Sequence, residues 1–215
     1  MRHPYKKLLL TTLILIGLNN AFAENSENDG NEWTLRKSSH DIAIYTREDK
    51  ESPINTVRAE GVFSASPDTI AKLLLAINKR KDWDSMCQEI TLIEQSSADN
   101  RRIHLLYDMP WPVSDRDMVV ETTVVRDGSR VRIRSIAINT SEFRSKRNII
   151  RVTEAQEDWL IEPTAGGKTQ VTAIIFLDPA GPIPAWMINM LSVNQPYDIM
   201  SKLQELSLDE GSLSK

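Results

Sequence analysis

Residues 169–207 read TQVTAIIFLDPAGPIPAWMINMLSVNQPYDIMSKLQELS, and a change of rhythm inside this stretch decides the fold. Thr169–Leu177 follows a Gly166-Gly167-Lys168 turn and is short and rich in β-formers, as a strand requires. Past Pro182 the spacing changes. Ile183, Trp186, Met187, Met190, Leu191, Tyr197, Met200 and Leu203 recur at helical intervals, which predicts a long amphipathic helix closing the chain. Pro196 lies inside that run and is expected to kink it, because proline removes a helical donor and crowds the preceding turn.

Upstream of this junction the chain is dominated by short alternating runs. Residues 33–36, 42–46 and Thr56–Phe63 place charged or small side chains at every other position, the pattern of half-buried strands. Ser66-Pro67-Asp68 then supplies a cap and a first-turn proline to a helix carrying Ile70, Leu73, Leu74 and Ile77 on one face, expected to end near Asn78. Residues 79–84 read as a polar turn. Strands resume at 89–94, 102–109, 118–126 and 130–138, the last two joined by the hairpin signal Asp127-Gly128, and continue at 150–153 and 158–163. The sum is an α+β domain, a bent antiparallel β-sheet with its concave face covered by the closing helix.

The first 23 residues read as a cleavable export signal. Arg2, Lys6 and Lys7 form a basic head, residues 8–18 an apolar run, and Ala21-Phe22-Ala23 a small-x-small cleavage site. The mature chain is then expected to begin near Glu24, in the periplasm or outside the cell. It would consist of an acidic flexible leader over 24–32, one domain over 33–208 and a disordered tail over 209–215. A composition of 40% hydrophobic and 26% charged residues suits a single soluble core. Without the signal, 23 basic residues face 30 acidic ones, a balance that repels phosphate backbones and argues against a nucleic-acid partner. Cys87 is the only cysteine, so the fold must stand without an internal disulfide, and a buried, inert thiol is expected.

A search for catalytic signatures returns negatives: no G-x-S-x-G elbow, phosphate-cradling glycine loop, H-E-x-x-H or C-x-x-C. No metal or cofactor is expected. His104 falls inside an alternating strand, where a structural role outweighs general-base chemistry. An enzyme built on this scaffold, of the cyclase or hydrolase type, would have Asp84, His104, Tyr107 and Arg116 as its acid–base candidates. Arg116, flanked by Asp115 and Asp117, suits either a ligand head group or a tie between loop and sheet. Trp83 beside Asp84 suits either a pocket wall or a core plug with its N–H satisfied. Arg130, Arg132 and Arg134 share one strand face, fit for an anionic lipid or for a solvated outer surface. The pliable Met187, Met190 and Met200 are core-like by default, yet would suit a cavity that adapts to an alkyl chain.

Several segments, in order along nearly the whole mature chain, resemble the START (steroidogenic acute regulatory protein-related lipid transfer) family. They are Trp33-Thr34-Leu35-Arg36-Lys37 leading to Ile42-Ala43-Ile44-Tyr45-Thr46-Arg47; Arg58-Ala59-Glu60-Gly61-Val62; Arg80-Lys81-Asp82-Trp83-Asp84; Pro112-Val113-Ser114-Asp115-Arg116-Asp117-Met118-Val119; and Asp178-Pro179-Ala180-Gly181-Pro182-Ile183-Pro184-Ala185-Trp186-Met187-Ile188-Asn189. The resemblance implies a helix-grip fold, in which a curved antiparallel sheet wraps a long C-terminal helix around an internal tunnel for one lipid. It implies a non-enzymatic, monomeric lipid-binding or transfer protein that meets membranes transiently and is gated by residues 109–114 together with the last helix. The candidate lipid contacts are Trp83, Tyr107, Trp111, Arg116, Met187, Met190, Leu191 and Asn194, with Trp111 as a tunnel wall or membrane probe. Sterol-binding members place a buried arginine where this sequence has Thr122 and an acid opposite, which residues 105–107 lack. A fatty acid, phospholipid or other apolar metabolite is the expected cargo.

Overall fold

The computed structural model describes residues 32–48, 52, 54–141, 143 and 148–213. The expected export signal and all but the last residue of the leader lie outside these residues.

The alternating segments form strands. In chain order they are β1 (Thr34–Ser39), β2 (Ile42–Arg47), β3 (Thr56–Phe63), β4 (Cys87–Gln95), β5 (Asn100–Tyr107), β6 (Arg116–Asp127), β7 (Arg130–Ala137), β8 (Ile150–Arg151), β9 (Ala155–Pro163) and β10 (Thr169–Leu177). Nine of them make one antiparallel sheet in the order β1-β2-β3-β10-β9-β7-β6-β5-β4, with β8 added parallel to the start of β6. The pairing of β3 with β10 joins the early and late strands, with Ala59 opposite Ala173. Two-residue turns set the hairpin registers. His40 and Asp41 both take positive φ, 51° and 59°, between β1 and β2, and Gly128 takes 57° between β6 and β7.

Period-2 alternation sorts the side chains. Val131, Ile133 and Ala137 of β7 are buried, whereas Arg130, Arg132 and Arg134 are exposed on the other face. There Arg132 pairs with Asp158, Arg130 with Glu162 at 3.2 Å, and Arg134 donates to Gln156 Oε1 at 3.2 Å. The three arginines therefore belong to a solvated cross-strand ladder, and carboxylates and an amide occupy the places an anionic lipid would need.

Four helices accompany the sheet, α1 (Pro67–Leu75), α2 (Arg80–Trp83), α3 (Ala185–Asn189) and α4 (Gln195–Leu213), of which α1, α2 and α4 pack against its strands. The cap of α1 is as the sequence reads, with Ser66 Oγ accepting from the Thr69 N–H at 3.2 Å and Pro67 in the first turn. The helix stops at Leu75, three residues short of the expected end. Residues 79–84, read as a polar turn, are instead mostly helical: a 3₁₀ turn at Ile77–Lys79 runs into α2.

The closing helix is interrupted rather than simply kinked. A π-helical turn at Met190–Asn194 connects α3 to α4, so Pro196 enters at the start of a new helical segment, where its missing N–H costs little. α4 continues to Leu213, and residues 209–213, expected as a disordered tail, are helical. It lies against β2, β3, α1 and α2, with Met200 and Leu203 fully buried. Gly61 of β3 allows this approach, since a Cβ there would stand 2.9 Å from Phe63 Cε2 and 3.0 Å from Met200 Cε.

Candidate ligand-binding site

The core is divided into two clusters. One packs α1 and α4 against β2, β3, β9 and β10 through Ile42, Phe63, Ile70, Met200 and Leu203. The other joins β4, β5 and β6 through Cys87, Ile103, Leu105, Met118 and Val120. Between them lies a cavity of about 140 Å³, roughly ten times the ~10–15 Å³ that one water needs. Its walls are aliphatic: Val57, Ile103, Leu105, Met118, Val120, Ile175 and Leu177 from the strands. Leu191 of the π turn and Pro196 and Ile199 of α4 face them.

One end is polar. Arg80 of α2 donates from Nε to Asp84 Oδ2 at 3.0 Å and from Nη2 to Tyr107 Oη at 2.9 Å, and its guanidinium stacks 4.2 Å from the Trp83 ring centroid. The spacing of four residues places Arg80 and Asp84 on one helical face, so the pair is local and needs little extra ordering. Gln195 Nε2 reaches Asp84 Oδ1 at 3.4 Å from the start of α4. Burial pushes the Tyr107 hydroxyl well above its usual range although Arg80 pulls the other way, so it remains a neutral hydrogen-bonding group. Glu157 of β9 borders the same space, and burial raises its carboxyl against the pull of Arg80.

At the mouth, Arg116 fastens two chain segments. It is 3% exposed and donates from Nε to the Pro179 carbonyl at 3.0 Å, from Nη2 to the Ala180 carbonyl at 2.9 Å, and to the Ser114 carbonyl. Asp115 Oδ1 accepts from the Met109 N–H at 3.1 Å, which closes the 109–114 loop on itself. Trp111, followed by a cis peptide to Pro112, projects from this loop with 90% of its surface exposed.

Of the eight candidate contacts read from the sequence, Tyr107, Arg116 and Leu191 line the cavity. Trp83 does not: it is buried in the α1–α4 core with its Nε1–H unpartnered, and it touches the site through Arg80. Met187 is fully buried outside the lining, Met190 is half-buried outside it, and Asn194 and Trp111 face solvent. The charged lining residues missed on the sequence are Arg80 and Glu157. The first had a signal in its i,i+4 relation to Asp84; the second is in phase with the inward Trp159 and Ile161.

His104 belongs to the opposite face. Its Nε2 lies 2.9 Å from Asp117 Oδ2, and its Nδ1 is buried without a partner, an arrangement that places the proton on Nε2. Arg151 brackets the same carboxylate at 2.8 and 2.9 Å and also donates to the Phe143 carbonyl, while the Phe143 ring stacks on the imidazole at 4.0 Å. This knot pins the segment after β7 to the back of the sheet. The enzyme candidates Asp84, Tyr107 and Arg116 border the cavity, and His104 is separated from them by the sheet. Cys87 is buried and its thiol is pushed up to about 11 by burial, so it is a poor nucleophile. No cluster of metal-ligating side chains occurs among the described residues.

A curved antiparallel sheet closed by a C-terminal helix around an aliphatic cavity with one polar end defines the helix-grip class of α+β proteins. Within that class the chain belongs to the START domain family, whose model matches residues 14–203. It is 26% identical to an uncharacterised protein of Pseudomonas aeruginosa over 95% of this chain and 97% of that one. It is 28% identical to the phosphatidylcholine transfer protein of Mus musculus over 77% of this chain and 78% of the relative. Among solved structures, a STAR-related lipid transfer protein fragment from Xanthomonas axonopodis superposes with a TM-score of 0.74 at 26% identity, covering 84% of this chain and 99% of that one.

Proposed function

We propose that the protein is a lipid carrier that holds one apolar molecule, such as a fatty acid or phospholipid, in the internal cavity and performs no covalent chemistry. The observation that carries this reading is the cavity itself, with its aliphatic walls and its single polar end at Arg80, Asp84, Tyr107 and Glu157. Affinity would come from burying alkyl surface, about 0.8 kcal/mol per methylene, and orientation from the polar end. The named relatives, a phosphatidylcholine transfer protein and a STAR-related lipid transfer protein, support the same reading.

Exchange would proceed by loosening of the 109–114 loop and of residues 178–184 ahead of the closing helix, which Arg116 ties together through the Ser114, Pro179 and Ala180 carbonyls. Trp111, with Trp186 and Ile188 exposed on α3, offers apolar side chains for transient contact with a membrane interface. The protein would work as an exported monomer after cleavage near Ala23.

Native mass spectrometry of the purified mature chain, followed by organic extraction, tests the carrier reading. A defined lipid adduct is expected, and Leu105→Trp, which fills the cavity from β5, should remove it while the far-ultraviolet circular dichroism is retained. A bare protein that also takes up none of a panel of fatty acids and phospholipids would overturn the proposal.

A further inference from the structure

Glu157 stands where two cavities meet. Besides the main one it borders a smaller cavity of about 30 Å³ behind it, and Arg80 and Ser135 belong to the walls of both. A carboxyl in such a place must either find a cation or keep its proton.

The charged and titratable groups around it are few. α2 and its C-terminal end supply Arg80 and Asp84; β5 supplies Tyr107 and, across the smaller cavity, Arg101; β4 supplies Cys87, close to Arg80. β7, β6 and α4 add the neutral Ser135, Thr122 and Gln195, and Arg116 of β6 lines the main cavity at its mouth, bound to three carbonyls. Arg80 already serves Asp84 and Tyr107, and Arg101 gives its Nη1 to the Leu75 carbonyl at 2.7 Å. Asp84 thus pairs with Arg80, and among the described residues no cation forms an ion pair with the half-buried Glu157: Arg101, the other cation on the smaller cavity, is turned to the Leu75 carbonyl. Burial is the largest influence on Glu157 and raises its titration, opposed by Arg80 and by a hydrogen bond from the Trp159 side chain.

We infer that Glu157 decides which head groups the cavity accepts and makes loading depend on pH. As a neutral acid it donates a hydrogen bond to an oxygen of an anionic head group, carboxylate or phosphate, lodged at the polar end; as a carboxylate it repels that head group. Above the Glu157 titration, loading of an anionic lipid is then accompanied by proton uptake, approaching one proton where the empty protein holds the carboxylate. The inference rests on the carrier reading and adds to it the charge rule by which cargo is chosen.

The test compares wild type with Glu157→Gln in binding three fluorescent probes from pH 5 to 9: phosphatidylglycerol, a long-chain fatty acid and the uncharged diacylglycerol. In wild type the Kd of an anionic probe should rise with pH, by up to about tenfold per unit above the Glu157 titration. Glu157→Gln, which stays neutral, should hold that Kd low and level, and diacylglycerol should be level in both proteins. A slope with phosphatidylglycerol, whose charge is constant over this range, identifies phosphate as an accepted head group; a slope with the fatty acid that Glu157→Gln removes identifies carboxylate. Calorimetry of wild type in buffers of different ionisation enthalpy reads the proton directly and does not depend on the variant folding. Level anionic curves with diacylglycerol bound, a phosphatidylglycerol slope that survives in Glu157→Gln, or no proton uptake at any pH would overturn the inference and leave the carrier reading intact. Failure of all three probes at every pH would overturn both.

Discussion

Replacing Arg116 by lysine tests how the mouth of the cavity is held. The guanidinium fork meets three carbonyls on two segments, Ser114 on one side and Pro179 and Ala180 on the other. A lysine ammonium on its unbranched stem keeps the charge but can serve only one of those segments well, leaving about two carbonyls without a charged donor. Hydrogen bonds to charged groups contribute about 1.5–3 kcal/mol each, so the gross loss is roughly 3–6 kcal/mol. Part of it is offset where water reaches the freed carbonyls beside the slimmer lysine. A net loss of about 2–4 kcal/mol is expected, which for a domain of this size is a fall in Tm of roughly 4–16 °C. Thermal unfolding measures the total, and amide hydrogen exchange should locate the loosening at residues 109–114 and 178–184. If lipid release is gated there, the release rate should rise alongside. A variant with an unchanged Tm and unchanged exchange at those residues would refute the reasoning, because the three hydrogen bonds would then carry no net stabilisation.

Gly61→Ala should destabilise by about 1–3 kcal/mol in urea unfolding, since the added Cβ meets the Phe63 ring and the Met200 methyl at about 3 Å and forces α4 off β3. Because burial raises the folded-state titration of Glu157 above its ordinary 4.5, its contribution to stability is complete below that value. That contribution declines as pH rises through the folded value, by up to about 1.4 kcal/mol per pH unit. The difference between wild-type and Glu157→Gln unfolding free energies, measured from pH 4 to 9, should therefore change in that window and be level below it. His104→Ala should cost about 1–3 kcal/mol through the loss of its bond to buried Asp117 and of the Phe143 stack. It should leave lipid affinity within about twofold, and a large loss of binding would contradict its place on the outer face.

The strands were the most legible part of the sequence because period-2 burial is written directly into residue order. Thr56–Phe63 and Thr169–Leu177 have the limits their alternation implies. The helical turn α2 inside 79–84 was not legible, since these six mostly charged residues show no apolar period, and the segment is fixed by Trp83 plugging the core and by the Arg80–Asp84 pair. Glu157 was missed for a related reason. Starting the strand at Asp158 puts the acid just outside it, whereas β9 begins at Ala155 and carries Glu157 inward in phase with Trp159 and Ile161. The π turn was hidden because the apolar positions around it still recur at near-helical intervals.

The same alternation explains why polar groups close in sequence have separate work to do. His104 and Tyr107 share β5 but are an odd number of residues apart, so the first faces the back of the sheet and the second the cavity. Arg116 and Asp117, adjacent at the start of β6, divide likewise, one to the mouth and one to the His104–Arg151 knot. An interior that holds Arg80, Asp84, Tyr107 and Glu157 therefore has no imidazole to move protons between them. What the sheet assembles is a charge-balanced end to a greasy chamber, suited to fixing the orientation of a cargo, and the ion pairs on its back serve to keep that chamber's wall in place.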